Sequence, residues 1–402
     1  MRENNIASAI VVGMDDLRGV YVARTLAQYG IYVIGIAKDR NSVGCKTNAC
    51  KEIYIADTMN VDFIETLTSI GPKLKEKAVL FPCMDRSVLM ISQHRNKLKE
   101  FYHVLLPDHD TVEILMDKVR FYQYADKHGI LIPKTVFVEK REDLEYALSI
   151  LQFPYVVKPP SSKLPQWVQK TYIKAFKVSH RSELYDVFEN YSSLVDSLIV
   201  QEWIEGTDSN LYSCNCYFNR DSQPVASFVS KKIRQWPPRT GETCLGQECH
   251  NDTVLQESIR LFKTVNFQGL GYVEFKQDPR TGQYYILEPN IGRPTARSAI
   301  AEASGVELLY SVYCDAVNKP LPCNLKKRVS GIKWVYLRKD FMSSIHYWRR
   351  GDLSLIQWIN SYRGKKIFAL FSITDPVPFL SDLLRVVKIF FNRKEKAKRK
   401  SP

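Results

Sequence analysis

The sequence predicts an α/β fold that opens with a parallel sheet, and three short segments carry that prediction. Ala9-Ile10-Val11-Val12-Gly13 is an apolar run that stops at glycine. Residues 18–29 place apolar side chains at helical spacing, at Val22, Leu26 and Tyr29, and Gly30 ends the run. Tyr32-Val33-Ile34-Gly35-Ile36 is a second apolar run. Strand, helix and strand in that order form a βαβ unit, whose two strands lie parallel. The loop Gly13-Met14-Asp15-Asp16-Leu17-Arg18-Gly19 lacks the full Gly-x-Gly-x-x-Gly spacing, so its glycines read as turn formers rather than a dinucleotide fingerprint. Val79-Leu80-Phe81-Pro82 and Val104-Leu105-Leu106-Pro107 read as later strands. Asp85 and Arg86 follow the first of these, at the strand end where open parallel sheets gather ligands.

The 402 residues suggest two or three domains, and an apolar content of 45% is enough for large cores. A net charge of +14 calls for acidic partners: nucleotides, acidic sugars, nucleic acid or an anionic membrane surface. No RNA-binding motif accompanies the charge, and no nucleic-acid partner is expected. The nine cysteines are an odd number without a disulfide framework. Cys214 and Cys216 would point the same way on a strand, as buried thiols. Cys244, Cys249 and His250 lack a fourth zinc ligand. Met1-Arg2-Glu3-Asn4-Asn5 has no signal-peptide core, and no run of about 18 apolar residues occurs. These features fit a cytoplasmic protein.

Beyond residue 110 the pattern changes. Asp110 or Thr111 would cap an amphipathic run that begins at Val112. Lys118 lies on that run, where a solvated helix lysine is the plain reading. Val156-Val157-Lys158-Pro159-Pro160 is a strand that ends in prolines, and a lysine in such a run is costly to bury unless paired. Leu198-Ile199-Val200-Gln201-Glu202-Trp203-Ile204 is another strand, and it runs into Glu205-Gly206. Lys231, Lys232 and Arg234 precede a Pro/Gly loop and would set cations at a strand end. Gly271-Tyr272-Val273-Glu274-Phe275-Lys276, a turn over residues 278–282, and Tyr284-Tyr285-Ile286-Leu287-Glu288-Pro289-Asn290 form a hairpin. Glu274, Glu288 and Asn290 then meet at one end, with Arg293 close behind. Hard oxygen ligands with open positions suit Mg²⁺ shared with substrate phosphates.

The ordered set of pieces resembles the ATP-grasp ligases, in which two acids and an Asn hold magnesium against ATP. The resemblance spans roughly residues 5 to 320. It includes Asp117-Lys118, the segment Gly129-Ile130-Leu131-Ile132-Pro133-Lys134-Thr135, the strand with Lys158, the strand ending in Glu205-Gly206, and the hairpin. Within the superfamily the chain is most similar to carboxylate–amine ligases, such as the D-aspartate ligases and predicted ligases of surface-polysaccharide loci. The resemblance implies a pre-ATP-grasp parallel-sheet domain at 1–109 and an ATP-grasp core at 110–325, split into subdomains 110–200 and 201–325. A C-terminal extension follows at 326–402. It implies ATP with Mg²⁺, or Mn²⁺, as cofactors, a carboxylate (small molecule or sugar) and an amine as substrates, and amide formation through an acyl phosphate. A kinase-like phosphotransferase and a non-catalytic nucleotide-binding scaffold are the alternatives.

The same resemblance implies individual roles. Lys118 and Lys158 would meet ATP phosphates, and Glu202 and Ile204 would flank adenine. Asp208 would hold ribose hydroxyls, a pairing that makes strong charge-assisted bonds; its other reading is a turn residue. Lys232 and Arg234 would face the triphosphate or an acidic substrate. Arg293 and Arg297 would oppose developing phosphoryl charge. One departure stands out. The segment after Lys158 has no glycine-rich loop, so Ser161, Ser162 and Lys163 would have to supply side-chain donors. Past residue 331 the chain is rich in aromatics and bases, including Trp334, Trp348, Arg349, Arg350 and Trp358. Leu380, Leu383, Leu384, Val387 and Phe391 share a helical face before a basic tail, a pattern that resembles an anchor to anionic membrane. A docking helix with a disordered tail is the other reading.

Overall fold

The computed structural model describes residues 7–161, 164–171, 173–238, 241–322 and 330–385. The first sheet runs β3-β2-β1-β4-β5 and every pairing in it is parallel. Its strands are β1 (Ala9–Val12), β2 (Val33–Ala37), β3 (Glu52–Ile55), β4 (Ala78–Pro82) and β5 (Tyr102–His103). β1, β2 and β4 are buried along their whole length, as expected for parallel strands covered on both faces. The last strand lies two residues before the expected one. Residues 104–107 instead run as a connection, and the Leu105 carbonyl backs onto Gly269. A Cβ at Gly269 would lie 2.2 Å from that oxygen, and its φ is +99°. Gly19 is likewise steric, since a Cβ there would lie 2.6 Å from the Gly13 carbonyl oxygen. The glycines of this loop therefore let backbones pack closely.

Two helices lead out of this sheet. His109–Met116 is capped by Asp108, which accepts from the Thr111 amide, not by Asp110 or Thr111. Asp117 breaks the chain's helical path and caps the next helix, Lys118–Lys127, by accepting from the Arg120 amide. Lys118 is thus the first residue of a separate helix.

The second sheet is antiparallel, ordered β6-β9-β7-β8, from β6 (Thr135–Val138), β7 (Tyr155–Lys158), β8 (Phe176–Val178) and β9 (Leu198–Glu202). The third is ordered β14-β13-β10-β11-β12-β15-β16. Its members are β10 (Leu211–Phe218), β11 (Pro224–Trp236), β12 (Glu242–Glu248), β13 (Gly269–Gln277), β14 (Tyr284–Ile291), β15 (Lys333–Val335) and β16 (Lys366–Phe368). The chain after residue 330 therefore adds strands to the third sheet.

Strand alternation splits the third sheet into two unlike faces. Cys214, Cys216, Phe218, Val273 and Phe275 face the helix Asp252–Thr264 in an apolar core, and the two thiols lie 3.4 Å apart. The opposite face carries Ser213, Asn215, Ser230, Lys232, Glu274 and Lys276, of which only Glu274 is more than marginally exposed.

Candidate functional site

The hairpin of β13 and β14 sets Glu274 directly opposite Glu288, and Tyr272 opposite Asn290. A bulge follows Glu274. Like charges facing across an antiparallel pair repel, so this register needs cations around it. Lys118 pairs with Glu288. Arg297 Nη2 reaches Glu274 Oε1 at 3.3 Å, and Lys232 Nζ lies 3.8 Å from Glu274 Oε2. Burial opposes the Lys118 charge, but the attraction of Glu288 outweighs it and holds the ammonium above its usual range. Lys118 in turn holds the Glu288 carboxyl well below the carboxylate range, with burial opposing and Lys158 assisting. Lys232 is pulled the other way: burial lowers it, Glu274 offsets part of that, and Arg297 adds repulsion.

Arg293 leaves the end of β14 and is almost wholly buried. It pairs with Asp85 and donates to Tyr272 Oη at 2.7 Å and to Asn290 Oδ1 at 2.7 Å. An amide oxygen has two lone pairs, so the Arg293 bond leaves one for a cation. Asn290 Nδ2 is buried without a partner, a donor suited to an anionic oxygen. Arg297 also donates to Ser213 Oγ at 3.2 Å and to Thr243.

Lys158 forms the other wall, from the second sheet. Its Nζ donates to Tyr122 Oη at 2.7 Å and to Gln201 Oε1 at 2.9 Å. Tyr122 in turn donates to the Leu287 carbonyl, so one phenol links the second sheet to β14. Sequence reasoning missed Tyr122, although it lies four residues after Lys118 on the same helix face, where side chains meet. Ser213, Thr243, Tyr272, Gln201 and Lys276 were missed too. Their signal was polar alternation along buried strands. Lys276 donates to the Gly206 and Thr207 carbonyls at 3.0 and 2.8 Å, and burial pushes it down to about 8.

Other expected residues are used elsewhere. Arg234 turns from the cluster and grips Asp340 through both carboxylate oxygens at 2.8 Å. That pair ties β11 to the helix Leu337–Arg349. Lys231 falls on the opposite face by alternation. Arg86 donates to the Met59 carbonyl, while its neighbour Asp85 reaches the cluster. Asp208 is close by, but it accepts from the Gln235 amide (3.2 Å), Gln235 Nε2 (2.7 Å) and Tyr347 Oη (2.6 Å). A ribose would compete with these donors. Glu202 and Ile204 lie where β9 leaves the second sheet. The Glu202 amide donates to the Lys134 carbonyl, and its carboxylate accepts from the Gln152 amide at 3.3 Å. Ser162 and Lys163 lie outside the described residues.

Among the described residues, no group of three or more His, Cys, Asp or Glu gathers to hold a metal. The cluster offers two carboxylates and one amide oxygen, which leaves positions for substrate oxygens, as magnesium favours.

The fold agrees with solved enzymes of one kind. N5-carboxyaminoimidazole synthetase from Staphylococcus aureus superposes with a TM-score of 0.63 at 13% identity, over 79% of this chain and 78% of that one. The biotin carboxylase domain of Hydrogenobacter thermophilus 2-oxoglutarate carboxylase gives 0.62 at 14% identity, over 79% and 71%. The chain's fold is that of the ATP-grasp enzymes. In sequence, a D-aspartate ligase from Enterococcus faecium (strain Aus0004) is 29% identical over 275 residues. That match takes in 64% of this chain and 64% of the relative, just short of two thirds of its length. A D-alanine–D-alanine ligase from Pseudomonas entomophila (strain L48) is 20% identical over 229 residues, 51% of this chain and 65% of the relative. No family model matches the chain.

Proposed function

We propose that the protein is an ATP-dependent carboxylate–amine ligase that forms an amide through an acyl phosphate. One observation carries the reading. Among the described residues, Lys118, Lys158, Lys232, Arg293 and Arg297 crowd a buried polar face, with Glu274, Glu288, Asp85 and the nearby Asp208 as counter-charges. Cations in excess on a buried face favour a polyanionic ligand, because charge there is poorly screened. A nucleotide triphosphate meets that demand. Magnesium held by Glu274, Glu288 and Asn290 would neutralise charge on its β- and γ-phosphates.

In the proposed reaction a substrate carboxylate oxygen attacks the γ-phosphorus and ADP leaves. The amine then attacks the acyl carbon, inorganic phosphate leaves, and the amine proton passes to a nearby acceptor or water. Lys118, Lys158 and Arg297 would oppose phosphate charge, with catalysis arising from position and electrostatics. Likeness to a D-aspartate ligase supports an amino-acid carboxylate as substrate; we propose in addition a role in cell-envelope or surface-polysaccharide synthesis.

The test is a search for ADP release that requires both a carboxylate and an amine, starting with D-aspartate. With ¹⁸O-labelled carboxylate, one label should appear in the released phosphate. Unlabelled phosphate would exclude the acyl phosphate, and a stable phosphorylated product would mean a kinase. Nucleotide binding without turnover under any amine and carboxylate pair would favour the scaffold reading.

A further inference from the structure

Among the described residues, 13 of the 23 large apolar side chains left exposed lie between residues 337 and 384. A concentration of that kind marks an interaction surface. Its centre is the helix Leu355–Ser361. A full capping box of Ser354 and Gln357 fixes its start, yet none of its residues is buried. Leu355, Ile356 and Ile359 are 59%, 72% and 59% exposed, and Trp348 at the end of the preceding helix is 62% exposed. Arg349, Arg350, Arg363, Lys365 and Lys366 flank them, all exposed. Between residues 341 and 374 the single acid is Asp352, and it is engaged by Arg350 at 3.1 Å.

We infer that this patch seats the protein on an anionic lipid surface. The charge distribution selects that occupant. A second copy would bring the same five cations against themselves. The chain's own residues 386–402 carry seven Lys and Arg against one Glu, so they too would be repelled. A bilayer of anionic lipid offers what the patch needs in one plane: phosphate oxygens for the bases, a headgroup layer for Trp348 and hydrocarbon for the aliphatic side chains. The helix is far too short to span, and among the described residues no helix is long and apolar enough to cross a membrane. The inference concerns a surface distinct from the nucleotide face and does not depend on the ligase reading.

The full-length chain should sediment with vesicles containing phosphatidylglycerol and remain in solution with vesicles of phosphatidylcholine alone. The triple variant Leu355→Ser, Ile356→Ser, Ile359→Ser should lower partitioning by roughly tenfold or more, since each loses buried methylenes. Its melting temperature should match wild type, because the three side chains are exposed. Lys365→Glu with Lys366→Glu should also reduce binding, most at low salt. Failure of the wild-type chain to sediment would overturn the inference and point to an acidic protein partner. Wild-type sedimentation by the triple variant would overturn it in favour of the basic tail.

Discussion

Glu288 joins a buried ion pair to the proposed metal site. Lys118 attracts its carboxylate strongly enough to overcome burial, so its pKa in the folded state lies well below the ordinary 4.5. A depressed carboxylate contributes stability that is complete above 4.5 and fades as the pH falls toward the folded value. Glu288→Gln keeps the shape and removes that contribution. The gap in melting temperature between wild type and variant should therefore narrow as the pH drops below 4.5. A gap independent of pH would show that the pair carries no linkage. Near neutral pH the variant should keep its fold and, on the proposed function, lose ATP turnover by roughly 10²-fold or more, because a ligand of the proposed magnesium is weakened. At this scale Lys118, Lys158, Glu274, Glu288 and Asn290 were legible as residue types in an order. That Arg234 serves Asp340 was not, because a bulge at Lys232–Arg234 redirects the strand and no local pattern announces it.

The helix Leu337–Arg349 is the element whose role is least expected. Asp340, Ser343 and Tyr347 lie three and four residues apart, on one face. Asp340 binds Arg234, Ser343 donates to the Gln235 carbonyl, and Tyr347 donates to Asp208. One helix face thus fastens the end of β11 beside the cationic face. Tyr347→Phe removes one donor from a buried carboxylate and should cost about 1–2 kcal/mol in urea unfolding. A loss near zero would mean that Gln235 alone satisfies Asp208. Sequence periodicity identified the hairpin and the first βαβ unit because apolar spacing is local. The latch escaped it because polar residues at helical spacing look the same whether they face water or a partner.

Across the whole molecule, residues 370–375 are bound to Arg24, on the helix that follows β1. Arg24 donates to Asp375 Oδ2 at 2.8 Å, to the Asp375 carbonyl at 2.7 Å and to the Leu370 carbonyl at 3.0 Å. Asp375 is 3% exposed and also accepts from Thr47 and the Asn48 amide. Arg24→Ala would leave that carboxylate buried without its cation, so urea unfolding should show a loss of about 3–5 kcal/mol. A loss under about 1 kcal/mol would mean that the segment docks by apolar packing alone. Of the amphipathic run, Leu380, Leu383 and Leu384 are helical and exposed, while Val387, Phe391 and the basic tail lie outside the described residues. The sequence by itself determined the fold class and the hairpin with its two acids and amide, because each follows from residues near one another in the chain. Only the tertiary structure decided which cations reach those acids, which are spent holding the C-terminal segment, and that this segment extends the third sheet. Those outcomes depend on strands far apart in sequence coming into register, and electrostatic pairing follows distance in space.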